Sequence, residues 1–210
     1  MIYWISAYIL KFFARIYLRA TASGLENYPE KGPFIGIFNH NSNMDIAALS
    51  VAVKHRVHTM AKDSLFEVPL LAWWLKAVCM FPVVRDSSDK EAFNHAVNVL
   101  KKGEILFMAP EGTRKKRKGQ KHRIRTGFIR LAHLAKCPIV PVAVYGTEKV
   151  LPPGGVFPKP VKVSVKVGKP FHLDNIDHIS KDKKEVLQKQ ADEAMAEVYK
   201  LVDEMAQKSN

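Results

Sequence analysis

Pro33-Phe34-Ile35-Gly36-Ile37-Phe38 is a short apolar run that passes directly into the polar turn Asn39-His40-Asn41-Ser42-Asn43-Met44-Asp45. A run of this length bounded by turn-forming residues reads as a buried strand. The apolar stretch that follows, Ile46 to Val53, is long and continuous enough for a helix. Strand, polar turn and helix in that order are the repeating unit of α/β proteins, which place ligands at the carboxyl ends of their strands.

The rest of the chain repeats the alternation. Leu65 to Met80, with Trp73 and Trp74, reads as a helix, Phe81 to Val84 as a short strand, and Ala92 to Leu100 as an amphipathic helix. Ile105 to Ala109 and Ile139 to Tyr145 read as buried strands, with Phe128 to Ala135 as the helix between them. Lys115 to Arg125 is a basic loop, and Pro152 to Pro160 must be a loop because of its Pro and Gly content. Val161, Val163, Val165 and Val167 alternate with Lys162, Ser164 and Lys166, the pattern of a half-exposed edge strand. From Ser180 onward an apolar stripe marks a long helix, with Ser180 or Asp182 as candidate caps. The expected fold is α/β, one domain with a largely parallel or mixed sheet flanked by helices.

A chain of 210 residues that is 47% hydrophobic can bury a substantial core. Its 33 Lys and Arg against 20 Asp and Glu leave a net charge of +13, which concentrates anionic partners: nucleic acid, anionic lipid or phosphorylated substrate. Nothing in the sequence has zinc-finger spacing or an RNA-recognition aromatic signature, so no nucleic-acid partner is expected. Cys79 and Cys137 lie in apolar surroundings without paired spacing, which points to neither a disulfide framework nor a metal site. The first twenty residues are apolar and aromatic, interrupted by Lys11, Arg15 and Arg19 at i, i+4 and i+8. As a spanning helix the segment would carry Lys11 near the bilayer centre, at a cost of roughly 2.5 to 3.5 kcal/mol. An amphipathic helix lying in the membrane interface, residues 1–22 preceding a domain over 23–210, is the expectation, alongside the plainer one of a helix packed on the domain.

His40 and Asp45 are five residues apart, so on one helix they would point some 140° apart, by about 100° per residue. They must straddle a turn. With a helix start at Ser42 or Asn43, Asp45 falls in the first turn and can hold one imidazole nitrogen of His40, leaving the other as a general base. A structural histidine beside an unrelated helix-start aspartate would give the same sequence.

Further blocks accompany the pair. Asn39-His40 through Asp45, Phe81-Pro82-Val83-Val84-Arg85, Phe107-Met108-Ala109-Pro110-Glu111-Gly112-Thr113-Arg114 and Pro138-Ile139-Val140-Pro141-Val142, with a weaker element at Ala61-Lys62 and Leu65, occur in order. In these blocks the sequence resembles the glycerolipid acyltransferases related to bacterial 1-acyl-sn-glycerol-3-phosphate acyltransferase (PlsC-like). Ala77-Val78-Cys79 stands where the second block often has glycine, and Lys115-Lys116-Arg117-Lys118 where small polar residues are commoner.

The resemblance implies direct acyl transfer from acyl-CoA or acyl-ACP to a lysophospholipid hydroxyl. His40 would be the base and Asp45 its partner, with backbone donors of the polar turn steadying the oxyanion. Arg85 and Arg114 would grip the acceptor phosphate, Lys62 would add charge, and Glu111, Gly112 and Thr113 would shape the pocket; Arg125 and Gly127 are weaker candidates. No cofactor or metal is expected. Lysophosphatidic acid is the first-choice acceptor, with glycerol phosphate and other lyso-lipids as alternatives, or a non-catalytic lipid- or nucleic-acid-binding role. The implied location is peripheral or monotopic on the cytoplasmic face of the cell membrane. An acyl-enzyme at Cys79 or Cys137 is disfavoured, because neither has a base nearby in sequence. His55, His58, His95, His122 and His133 lack metal-ligand spacing.

Overall fold

The computed structural model describes residues 1–84, 89–112, 124–151, 157–174 and 183–208. Seven helices, α1 (Ile2–Ile16), α2 (Asp45–Leu49), α3 (Pro69–Ala77), α4 (Lys90–Lys101), α5 (Gly127–Ala135), α6 (Thr147–Val150) and α7 (Lys183–Gln207), alternate with seven strands among the described residues. The strands are β1 (Thr21–Ser23), β2 (Phe34–Phe38), β3 (Val57–Lys62), β4 (Met80–Val83), β5 (Ile105–Met108), β6 (Ile139–Tyr145) and β7 (Ser164–Val167).

They form one sheet in the order β1-β7-β6-β2-β5-β3-β4. β6, β2, β5, β3 and β4 run parallel, whereas β7 is antiparallel to β6 and carries β1 parallel to itself. The α/β class and the mixed sheet are as expected. The centre of the sheet is buried on both faces, so β2 shows no alternation: all five of its residues are buried. Ile35, Ile37, Leu106 and Ile139 face α4, α5 and α7, while Phe34, Phe38, Phe107 and Val140 face α1 and α2. Gly36 belongs to the second face, where a Cβ would stand 2.6 Å from the Phe107 ring; only glycine lets the aromatic lie against the strand.

Several expectations are corrected. The Val161 to Val167 segment is not an edge strand: only Ser164–Val167 is extended, and β1 covers its outer side, so Val163, Val165 and Val167 are all buried. β1 and β3 were not expected. β3 reads Val-His-Thr-Met-Ala-Lys, which has neither a period of two nor a continuous apolar run. The helix expected over Leu65 to Met80 is a 3₁₀ turn at Asp63–Phe66 followed by α3, with Met80 already in β4. Pro69 explains the break: it sits in the first turn of α3 and holds Val68 extended. α2 is shorter than the expected Ile46 to Val53, and its N-cap is Met44 without a side-chain bond rather than Ser42 or Asn43. The candidate caps Ser180 and Asp182, residues 152–156 of the Pro-rich loop and residues 115–123 of the basic loop lie outside the described residues.

α1 is fixed to the domain. Ala14 and Leu18 are buried against the sheet, the Tyr3 hydroxyl accepts from Val57 N–H at 2.8 Å, and Trp74 Nε1 donates to Ser6 Oγ at 3.1 Å. Its opposite side is apolar and exposed, with Ile5, Tyr8, Ile9, Phe12 and Ile16 each more than half accessible. Lys11 is half-buried at the border of that face, and burial followed by the charge of Arg15 lowers its ammonium pKa. No helix among the described residues is long and apolar enough to cross a membrane.

Candidate active site

The carboxyl ends of β2, β5 and β6 meet at one edge of the sheet, and each contributes to a cluster around His40. β2 leads into the polar turn, and Asn39 anchors it: its amide donates to Val144 O and its oxygen accepts from Val144 N–H, both at 2.8 Å. That pair takes the place of a ladder bond beyond the last β2–β6 partners and fixes where the turn departs.

His40 Nδ1 lies 2.8 Å from Asp45 Oδ2. The same oxygen accepts from Asn41 N–H at 2.9 Å and Ser42 N–H at 3.0 Å, and Asp45 Oδ1 accepts from Thr147 Oγ1 at 2.5 Å. Asp45 is fully buried, and four donors compensate its charge as a buried carboxylate requires. A carboxylate so placed accepts from Nδ1–H, so Nε2 carries the lone pair. The His40 side chain keeps 16% of its accessible area against none for Asp45, so a substrate can reach the imidazole but not the acid.

A second carboxylate braces the turn from the other side. Glu111, after β5 and nearly buried, accepts His40 N–H on Oε2 at 3.2 Å and the Tyr199 hydroxyl on Oε1 at 2.7 Å. Burial, then the hydrogen bond and charge of Glu111, push the Tyr199 phenol well above the ordinary tyrosine range. Tyr199 therefore stays a donor. Neither Thr147 nor Tyr199 was singled out from sequence; the only hint for Thr147 was its place just past the fourth block.

Four of the backbone donors in the polar turn are committed within the site. His40 N–H goes to Glu111, Asn41 and Ser42 N–H to Asp45, and Met44 N–H to Ser42 Oγ. Lys62 is exposed at the carboxyl end of β3, opposite Val83 of β4. Gly112 has φ +71°, and a Cβ there would stand 2.6 Å from Arg125 Nε, so the Arg125 side chain lies across the Pro110-Glu111-Gly112 turn. Arg125 N–H also donates to Pro110 O at 2.9 Å. Gly127 opens α5. Arg85, Thr113 and Arg114 lie outside the described residues.

The cysteines have no part in this cluster. Burial pushes the Cys137 thiol up to about 11 and raises that of Cys79, which precedes β4 at the opposite edge of the sheet. Among the described residues no group of three His, Cys, Asp or Glu side chains is placed to hold a metal ion.

A reachable imidazole held by a buried carboxylate at the carboxyl edge of a parallel sheet is the equipment of a base-catalysed transferase. A family model described as Acyltransferase matches residues 19–145, more than half of the chain, and the chain belongs to that family. It is 26% identical over 182 residues to the 1-acyl-sn-glycerol-3-phosphate acyltransferase of Bacillus subtilis (strain 168), covering 86% of this chain and 88% of that one. The enzyme of the same name from Saccharomyces cerevisiae is 33% identical over 165 residues, which span 76% of this chain and 53% of the yeast protein. The crystal structure of the 1-acyl-sn-glycerophosphate (LPA) acyltransferase PlsC from Thermotoga maritima superposes with a TM-score of 0.72 at 26% identity, over 95% of this chain and 79% of that one.

Proposed function

We propose that this chain transfers a fatty acyl group from acyl-CoA or acyl-ACP to the free hydroxyl of 1-acyl-glycerol-3-phosphate, forming phosphatidic acid in phospholipid biosynthesis. The observation that carries this reading is the His40–Asp45 pair at 2.8 Å, with its acid buried and its base reachable.

His40 Nε2 takes the proton of the acceptor hydroxyl as its oxygen attacks the thioester carbonyl. Asp45 stabilises the imidazolium that forms, as its partner carboxylate does in hydrolase triads. Collapse of the tetrahedral intermediate breaks the C–S bond, and the imidazolium returns the proton to the leaving thiolate. The balance closes with thioester and alcohol alone: one ester and one thiol are produced.

The acceptor phosphate binds along the same edge of the sheet. Lys62 ends β3 there, and Arg85, Thr113 and Arg114 follow β4 and β5 in sequence. Guanidinium groups match phosphate oxygens bidentately, and Lys62 adds a point charge. Glu111 and Gly112 shape this side of the pocket, Glu111 by holding the His40 main chain and Gly112 by admitting Arg125.

The acceptor is a membrane lipid, and the apolar outer face of α1 with Lys11 and Arg15 suits the interface of an anionic bilayer at its cytoplasmic leaflet. The test of the reaction is thiol release from acyl-CoA, or from acyl-ACP, by wild type and His40→Ala in detergent micelles with and without lysophosphatidic acid. Acceptor-dependent release that falls about 100-fold to 10,000-fold in the variant is expected. Undiminished release by His40→Ala overturns the mechanism.

A further inference from the structure

The outer face of α1 does not stand alone. α1 starts at the amino edge of the parallel strands, where Tyr3 receives the N–H of Val57, the first residue of β3. It ends towards the carboxyl edge, where Thr21 pairs with Ser164 and Ser164 with Tyr145, the last residue of β6. The segment after β3 runs the other way, from Lys62 at the carboxyl edge through the 3₁₀ turn and α3 to the start of β4. The bond between Trp74 and Ser6 holds α3 beside α1. The two therefore run in opposite senses and meet where Trp74 touches Ser6.

α3 buries Leu75 and turns its other side to solvent: Leu70 is 77% exposed and Trp73 is 56% exposed, three residues apart on one helix face. Leu65 and Val68, just before α3, are also exposed. Lys76 follows Trp73 by one turn and is exposed too. Monomeric proteins seldom leave so many large apolar side chains together in water, least of all with a tryptophan among them. Asp63 and Glu67 balance Lys62 and Lys76 within the segment, so it is the net charge of +13 and the exposed Arg15 of the neighbouring α1 that favour an anionic lipid surface over a protein partner of undefined charge.

We infer that Leu65, Val68, Leu70 and Trp73 form a second membrane-docking ridge, joined to α1 at Trp74 and Ser6, that seats in the interface of an anionic phospholipid bilayer. This rests on the membrane reading proposed for α1. Its consequence is orientation. One helix would let the domain roll about its own axis on the bilayer, whereas two helices define a plane. The ridge begins at Leu65, three residues past Lys62, so that plane meets the carboxyl edge of the sheet where His40 lies and where a lipid acceptor must enter.

The experiment uses the full chain and vesicles of equal parts phosphatidylcholine and phosphatidylglycerol, with brominated phosphatidylcholine as a fluorescence quencher. Vesicle retention is compared for wild type, Leu70→Ser/Trp73→Ser and an α1 variant, Ile9→Ser/Phe12→Ser, with thermal melting of each as the folding control. Trp73→Phe separates the signal of Trp73 from those of Trp4 and Trp74. Expected are a roughly tenfold or greater weakening of retention in the α3 variant and a clear fall in quenching in Trp73→Phe, the remainder coming from Trp4, which lies beside Tyr8 on α1. Retention unchanged in the α3 variant but lost in the α1 variant, with quenching intact in Trp73→Phe, overturns the second ridge and leaves the α1 reading standing. Failure of wild type to bind at low salt overturns both. A wild-type dimer without vesicles that the α3 variant dissociates, again with no Trp73 quenching, makes the ridge an interface between copies and overturns the proposal. None of these outcomes touches thiol release in micelles, which tests the reaction separately.

Discussion

Asp45→Asn separates the two things that Asp45 does, which are to accept hydrogen bonds and to carry charge. Oδ2 faces three donors, the His40 imidazole and the N–H groups of Asn41 and Ser42, whereas Oδ1 faces only the Thr147 hydroxyl, which can turn to accept. The asparagine amide therefore has one good orientation, with its oxygen at the Oδ2 position and its NH₂ donating to Thr147 Oγ1. The turn and the imidazole tautomer survive, and only the charge is lost. Charge-assisted hydrogen bonds are about twice as strong as neutral ones, so the imidazolium loses about 2 kcal/mol of stabilisation and the rate falls roughly 30-fold. That is less than the roughly 10,000-fold loss in a serine protease, where the asparagine inverts the tautomer. Asp45→Ala, by contrast, strands several buried donors and should destabilise the fold by about 3 kcal/mol or more. The assay is thiol release from acyl-CoA with lysophosphatidic acid in micelles, alongside thermal melting. Because the pair acts as a unit, the double variant His40→Ala/Asp45→Asn should be no slower than His40→Ala. Fully additive losses, or Asp45→Asn at the wild-type rate, would refute the coupling.

Thr147→Val keeps the shape but leaves Asp45 Oδ1 without its hydroxyl donor; a loss of about 2 kcal/mol and a melting temperature lower by roughly 4 to 8 °C are expected, with Thr147→Ser restoring both. Tyr199→Phe removes one of the two hydrogen bonds that the described residues give Glu111, and a drop in kcat of several-fold with little change in KM for acyl-CoA would identify it as a positioning residue; an unchanged kcat rejects that role. Asp89 caps α4, and the N–H groups of Ala92 and then Val84 hold its carboxyl below the ordinary aspartate range. Its contribution is thus present above that range and lost as pH falls through its depressed value. Asp89→Ala should cost about 1 kcal/mol in neutral melts, a difference that must narrow in acid.

What could be read in the sequence was what is local. β6 runs over Ile139–Tyr145 as expected, because a buried parallel strand is simply a continuous apolar run. His40 and Asp45 were legible because they lie only five positions apart. β3 was hidden by mixed polarity: His58, Thr59 and Lys62 interrupt any apolar pattern, and pairing with β4 and β5 makes it a strand. β7 misled for the opposite reason. Lys162, Ser164 and Lys166 alternate with valines as on an exposed edge, yet Lys166 reaches Glu204 of α7 and β1 supplies the outer neighbour.

The supports of the dyad were illegible for one physical reason: they are distant in sequence. Thr147 meets Asp45 across 102 residues, and Tyr199 meets Glu111 across 88. Such contacts are specified by sheet order, which sets β6 beside β2 and packs α7 against β6, and by nothing in the neighbouring residues. Two consequences follow for how the site works. His40 is held at both ends, its ring by Asp45 and its main chain by Glu111, so the rate depends on two carboxylates although only one touches the imidazole. Tyr199 also lies beyond residues 19–145, the region that matches the family, so α7 completes a site whose motifs all precede it. Truncation before α7 would leave His40, Asp45 and Glu111 in the chain but withdraw the donor that fixes Glu111 and uncover the Ile35, Ile37 and Ile139 face of the sheet.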